Sequence, residues 1–356
     1  MGAATGTSSE SSRTLWRMLA RLLSALVVLV VAALAVVFTW PQAFGLQNEW
    51  VISHVVALRG AAVVCALIAA VVFGLLSFAK PLRGFTIGLV VILLVYAGAN
   101  VAILSARGFG GEAAPADETS ESITVLSWNT LGEVPEASTI AELALERGAD
   151  IVSLPETTEP LGEEVAIAMR EGGRPMWVKT IAFDQIAKAR STTLLISPDL
   201  GDYEVVSAEG SGPPGNTNTL PTVVAAPVNG EGPTIVAVHA VAPIRWEMRN
   251  WRSDLDWLAE QCAGDDVIMA GDFNATVDHF AGRGAADLGN CADAAVAAGS
   301  AGLGTWPTDL PALLGSPIDH VLATPNWTVT SFDVLDEYDD SGSDHRPVVA
   351  TLERAG

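Results

Sequence analysis

Ala270-Gly271-Asp272-Phe273-Asn274-Ala275-Thr276 follows the apolar run Val267-Ile268-Met269. An apolar run of this length, bounded by turn residues, reads as a buried strand. A carboxylate and a carboxamide stand one residue apart at its end. Alternate side chains of a strand share a face, so Asp272 and Asn274 point together if the extended geometry persists. Asp accepts hydrogen bonds or holds a metal, and Asn both donates and accepts. Together they can deprotonate a water and hold a reacting oxyanion. The plainer reading is a polar turn, since Gly, Asp and Asn are common there.

The same pattern recurs along the chain. Apolar runs end in isolated polar residues at Asn129, Glu156, His239, Asp319 and the pair Asp344 and His345. Helical stretches fall between them, near 139–147, 163–170 and 246–262, and a Gly/Ala-rich stretch of helical character follows Thr276. Strands are expected at 123–129, 150–156, 192–197, 222–226, 234–239, 317–323, 329–334 and 348–352. Such mixing predicts an α/β (α+β) layered domain over 123–356.

The first third is different. The chain has 356 residues, half of them hydrophobic, and a mean hydropathy of +0.37. The excess lies in three apolar runs, at about 22–40, 51–79 and 85–105. Each is close to the roughly 20 residues that cross a bilayer as a helix. The first also resembles a signal peptide but has no clear cleavage site, so a retained anchor is expected. Residues 1–18 read as a disordered cytoplasmic tail, 19–107 as three transmembrane helices and 108–122 as a linker. Arg13, Arg17 and Arg21 precede the first run, and Lys80 and Arg83 separate the second from the third. The positive-inside rule makes both places cytoplasmic and puts the C-terminal domain outside the cell, with Trp40 and Trp50 at the interface.

Net charge is −22; beyond Gly111, 12 Lys and Arg stand against 39 Asp and Glu, a net of −27. That surface disfavours long nucleic acid without excluding a local basic groove. The three runs carry no buried acids of the kind that mark ion paths, which disfavours a transporter.

In order and spacing, Ser127-Trp128-Asn129, Leu154-Pro155-Glu156, His239, Gly271-Asp272-Phe273-Asn274, Ile318-Asp319-His320 and Ser343-Asp344-His345 resemble the endonuclease/exonuclease/phosphatase superfamily. The likeness covers about 123–353. It implies a four-layer sandwich, two packed β-sheets flanked by helices, here preceded by the three transmembrane helices. It also implies Mg²⁺ or Mn²⁺ and hydrolysis of a phosphate ester. The donors themselves, oxygen and imidazole without cysteine, suit a hard cation.

On this resemblance Glu156, Asn129 and Asp344 hold the metal. Asp272 is the general base, Asn274 binds a phosphoryl oxygen, and His345 stabilises the transition state. Asp319 orients His345 and keeps it cationic. His239 protonates the leaving oxygen or contacts phosphate, or is merely structural. His320 has no assigned role. Arg245 is a candidate substrate contact, Arg249 and Arg252 read as a solvated helix face, and Trp246, Trp251 and Trp257 as packing residues.

The expected substrate is a lipid head group or a small phosphodiester; no protein partner is implied. An extracellular nuclease and a non-catalytic binding module on the same fold are the alternatives. Cys262 and Cys291, placed outside the cell, are expected to form a disulfide, whose loop of about 30 residues would be worth roughly 3 kcal/mol by chain entropy.

Overall fold

The computed structural model describes residues 7–110, 122–184, 186–207 and 212–355. The expected linker, 108–122, lies largely outside them. The chain divides into two compact units, 1–46 with 60–102 and 47–59 with 103–356.

The first unit holds α1 (Thr7–Thr39), most of α3 (Arg59–Leu76) and most of α4 (Arg83–Arg107). Stretches of all three, Ser12–Thr39, Arg59–Leu76 and Arg83–Arg107, are long and apolar enough to cross a membrane. Val63, Ala66 and Ala97 pack together, with Leu93 and Tyr96 against them. Gly88 lies close to Val28, where an added Cβ would sit 3.5 Å from both methyls. Two expectations change here. The tail expected to be disordered over 1–18 is helical from Thr7. The run at 51–79 is not one helix: α2 (Trp50–Ala57) ends at Leu58, whose backbone leaves the helical region, and α3 starts afresh. Hydropathy does not register this break, because apolar residues occupy both sides of it.

The second unit is two six-stranded sheets. The first holds β1 (Ser122–Ser127), β2 (Ile151–Pro155), β3 (Trp177–Ala182), β4 (Ser191–Ile196), β11 (Trp327–Val334) and β12 (Val348–Arg354), in the order β11-β12-β1-β2-β4-β3. The second holds β5 (Tyr203–Val205), β6 (Val223–Pro227), β7 (Thr234–His239), β8 (Val267–Asp272), β9 (Ala292–Asp293) and β10 (Asp319–Ala323), in the order β5-β6-β7-β8-β10-β9. Strands β3, β5 and β9 escaped the sequence reading. They are edge strands, and the latter two are very short.

Every central strand is covered on both faces, which is why the runs read as continuously apolar. Val125, Ile151, Ile268 and Ala270 face the space between the sheets. Their neighbours Leu126 and Val152 pack outward with Ile140, Leu143, Val165 and Met169 of α5 (Ala137–Glu146) and α6 (Glu159–Glu171). Met269 packs outward with Trp251, Leu255 and Leu258 of α7 (Met248–Gln261). Each such side chain, fully buried, is worth about 1.5–3 kcal/mol. Trp246, expected in this packing, is 79% exposed. It precedes α7 in the chain, so the helical spacing that buries Trp251 does not apply to it. The Gly/Ala-rich stretch after Thr276 forms only the four-residue helices α8 (Val277–Phe280) and α9 (Ala294–Ala297). Cys262 and Cys291 are joined as a disulfide with Cα atoms 5.6 Å apart.

Segment 47–59, with α2, belongs to this unit and is tied down by polar contacts. Arg59 meets Asp278 of α8 through two hydrogen bonds, Nε to Oδ2 at 2.9 Å and Nη2 to Oδ1 at 2.8 Å. Arg107 adds an ion pair to the same carboxylate at 2.8 Å. The His279 ring lies 3.2 Å from the Ser53 carbonyl, and Arg252 donates to the Asn48 carbonyl at 3.0 Å. Arg252 is therefore a fastening on this segment. Burial alone would raise the Asp278 carboxyl; the hydrogen bond from Arg59 and the charges of both arginines outweigh it and hold the carboxyl well below its usual range.

Asp278→Asn leaves two guanidinium groups facing a neutral amide. Breaking a buried pair in this way costs about 3–5 kcal/mol, so the full-length variant in detergent should melt at a markedly lower temperature. Because the folded-state value is depressed, the stabilisation is complete above the ordinary carboxylate value of about 4 and is lost as the pH falls below it. Melting followed from pH 7 to pH 3 should show the gap between the two proteins starting to narrow below about pH 4, with full convergence only below the depressed folded value. An unchanged midpoint at pH 7 would refute the role of the cluster.

Candidate active site

Strand direction brings the polar ends together. β1 runs parallel to β2, and β7 parallel to β8, so Asn129, Glu156, His239 and Asp272 leave the C-terminal ends of their strands. β10 and β12 run antiparallel to β8 and β1, so their N-terminal ends, with Asp319 and the preceding His345, reach the same edge. Ser153 joins the sheets beneath, its hydroxyl donating to the Ala270 carbonyl at 2.8 Å.

Asp272 is buried at the centre. Its Oδ1 accepts from the Asn274 backbone N–H at 2.8 Å, and its Oδ2 from the side-chain amides of Asn129 at 3.1 Å and Asn274 at 3.2 Å. The same Asn129 amide lies 3.3 Å from Glu156 Oε1. Gly271 allows β8 to lie this close to β7: at φ +153° an added Cβ would sit 2.0 Å from the Val238 carbonyl oxygen. Glu156 at φ +60° and Asn274 at φ +47° adopt left-handed backbone. That region costs a non-glycine residue about 1–3 kcal/mol and is typical of functional positions.

Asp319 lies opposite Asp272 in the β8–β10 register. His345 faces both. Its Nδ1 is 2.9 Å from Asp319 Oδ2, and its Nε2 is 3.8 Å from Asp272 Oδ2. Burial would push this imidazole down; the Asp319 and Asp272 charges, with the Asp319 hydrogen bond, hold it well above the usual range, so it is a cation. Burial raises Asp272, His345 opposes this, and Asp319 adds to it. His239, also buried, is lowered to about 3 by desolvation and then by the His345 charge. A neutral His239 is a poor proton donor to a leaving group.

A cation fits the other half of the site. Glu156 is half-buried, and burial raises its carboxyl, as does Asp344, against the Asn129 hydrogen bond and His345. Asp344 Oδ2 accepts from the Trp306 indole at 2.9 Å, while its Oδ1 is buried with no hydrogen-bond partner among the described residues. Two confined carboxylates, one with an unsatisfied oxygen, are a donor set that a hard divalent ion completes. Ligand atoms of Asp272, Asp319 and His345 also lie within 4.8 Å of one another. A protonated imidazole has no lone pair to offer, so that trio is held together by ion pairing.

Two expected residues take other positions. The Asn274 amide N–H groups are taken by Asp272 and by the Ala240 carbonyl at 2.9 Å. In this arrangement Asn274 orients Asp272 and does not present a donor to a phosphoryl oxygen. Arg245 is exposed, its guanidinium 5.5 Å over the Trp50 ring, and it is not drawn into the cluster. Its neighbours Pro243 and Ile244 line the cavity there.

The roles of several supporting residues escaped the sequence reading. The Ser343 hydroxyl donates to the Asn129 carbonyl at 2.6 Å and accepts from the His345 N–H at 3.1 Å. The Trp128 indole holds the His345 carbonyl at 2.9 Å. Buried His320 links Asp293, at 2.6 Å, to the Ala275 carbonyl, at 2.8 Å, and fixes the turn after Asp272. The triplets Ser127-Trp128-Asn129 and Ser343-Asp344-His345 contained two of these. Only their partners, more than 200 residues away, reveal what they do.

A comparison with curated proteins finds no match. Among solved structures, an endonuclease/exonuclease/phosphatase from Bacteroides vulgatus is 14% identical, with a TM-score of 0.47 over 66% of this chain and 100% of that one. One from Beutenbergia cavernae is 18% identical, with a TM-score of 0.49 over 66% of this chain and 72% of that one. A mannosyl-6-phosphatase from Bacteroides thetaiotaomicron is 16% identical, with a TM-score of 0.44 over 65% and 99%. The sequence profile of the Endonuclease/Exonuclease/phosphatase family matches residues 126–345. With more than half of its length so matched, the chain belongs to that family.

Proposed function

We propose that this chain is a membrane-anchored, divalent-cation-dependent phosphoesterase. The observation that carries the reading is the Asp272–His345–Asp319 unit, set beside the Glu156 and Asp344 carboxylates at one sheet edge. The family supports the coarser part, hydrolysis of phosphate esters.

Asp272 is the base. Asn129 and Asn274 fix its Oδ2, and the Asn274 backbone fixes its Oδ1. A water held by Asp272 attacks phosphorus, its proton passes to the carboxylate, and the phosphorus–oxygen ester bond breaks. The departing alkoxide takes a proton from solvent. His345, cationic through Asp319, donates from Nε2 to a non-bridging oxygen and offsets the charge that grows there. Glu156, Asn129 and Asp344 would hold Mg²⁺ or Mn²⁺, which supplies positive charge to the phosphoryl group.

The basic residues Arg13, Arg17, Arg21, Lys80 and Arg83 favour an outward-facing catalytic unit. The Cys262–Cys291 disulfide agrees with an oxidising side. A protease-protection assay on intact cells tests this: digestion of the C-terminal unit only after membrane disruption would reverse the placement.

Purified full-length protein should hydrolyse bis-p-nitrophenyl phosphate with Mg²⁺ or Mn²⁺, lose activity in EDTA and recover when metal is restored. Glu156→Gln should require more metal for half-maximal rate, since it removes an anionic oxygen. Activity indifferent to chelation would refute the metal assignment.

Asp272→Ala and His345→Ala should each lower kcat by about 10²–10⁴-fold while the protein still melts cooperatively, the range for loss of a general base or an oxyanion donor. Asp319→Asn, which lets His345 lose its proton, should fall between these and wild type. Full activity in either alanine variant would sink the assignment.

A further inference from the structure

Glu156, His239, Asp272 and His345 line a cavity of about 390 Å³. Its lining also includes Ala57 and Leu58, with Ser53 and His54, from the segment that follows the first membrane-spanning helix, and the apolar Leu220, Ile244 and Ile318. That segment lies outside the family match, which begins at residue 126. It is nevertheless a fixed part of the catalytic unit. The Arg59–Asp278 pair stands immediately after Leu58, with both side chains 3% exposed, and the His279 ring meets the Ser53 carbonyl. Asp278 and His279 follow Asp272 by six and seven residues. The wall and the catalytic turn are therefore fastened to each other.

We propose that α2 and Leu58 form an apolar subsite that selects phosphoesters carrying an acyl or alkyl chain, the chain lying along Ala57 and Leu58 while the phosphate meets Asp272 and His345. The inference rests on the phosphoesterase reading and adds the substrate class. Two observations choose this occupant. The wall offers the substrate carbon contact, and the net charge of −27 beyond Gly111 repels a polyanion. The helices that suit the chain to a membrane place it where such substrates are.

The test uses full-length protein in detergent and p-nitrophenyl phosphodiesters whose second ester group is methyl, butyl or octyl, assayed with Mg²⁺ or Mn²⁺. In wild type, kcat/KM should rise about two- to fourfold per methylene until the wall is covered, the gain expected from burying a methylene. Ala57→Asp and the milder Leu58→Asn should each cut the octyl-to-methyl ratio at least tenfold relative to wild type. Taking the ratio between proteins cancels partitioning into the micelle. Val51→Asn, on an exposed position of α2 away from the cavity, should leave the ratio as it is, and melting curves should show all variants folded. Hydrolysis of the methyl ester with no chain-length dependence overturns the subsite and leaves the phosphoesterase standing. Retention of the wild-type ratio in both wall variants also overturns it, as does plasmid DNA cleaved faster than the octyl ester. No hydrolysis of any ester overturns the phosphoesterase reading and the subsite with it.

Discussion

Two buried carboxylates, Asp272 and Asp319, stand opposite each other in the register of neighbouring strands. Like charges so placed repel, and in a dry interior the repulsion is severe. The arrangement persists because a cation from the other sheet faces both: His345, which leads into β12, bonds Asp319 and lies near Asp272. That single charge relation couples the sheets at the edge where catalysis is proposed. It explains why Ser343 and Trp128 hold the His345 backbone and why Thr305 caps the start of β10, its hydroxyl accepting from the Asp319 N–H.

The same economy governs the metal half of the site. Glu156 is half-buried near Asp344, whose charge raises its carboxyl while His345 opposes the rise. A divalent cation bound there would stabilise the folded protein. Neighbouring turns are strained as well, with left-handed backbone at Glu156 and Asn274. Stability is surrendered at the edge of the sheets and recovered in the layers behind it, where Trp251, Leu126 and Ile151 are wholly buried.

Much of this was legible in the chain. Strand runs ending in Asn129, Glu156, His239, Asp272 and Asp319 marked both the sheets and the residues that meet, because local periodicity carries that information. Other features depend on distant partners. The roles of Ser343 and Trp128 required β1 and the segment before β12 to be brought side by side. That Asn274 turns its amide to Ala240 follows from the neighbouring chain, and the place of Arg245 from stacking on Trp50, a residue expected at the membrane interface. The break at Leu58 was invisible for the same reason: a helix apolar because it faces lipid and one apolar because it faces a protein cavity have the same composition.

The disulfide has a topological consequence. Cys262 and Cys291 close a covalent ring around β8 and α8, so the ring contains Asp272, Asn274, Asp278 and His279. A backbone cut anywhere between the two cysteines opens the ring without dividing the molecule. The two pieces stay joined through sulfur, and the nicked protein can hold its central strand in register long after an uncrosslinked chain would have come apart.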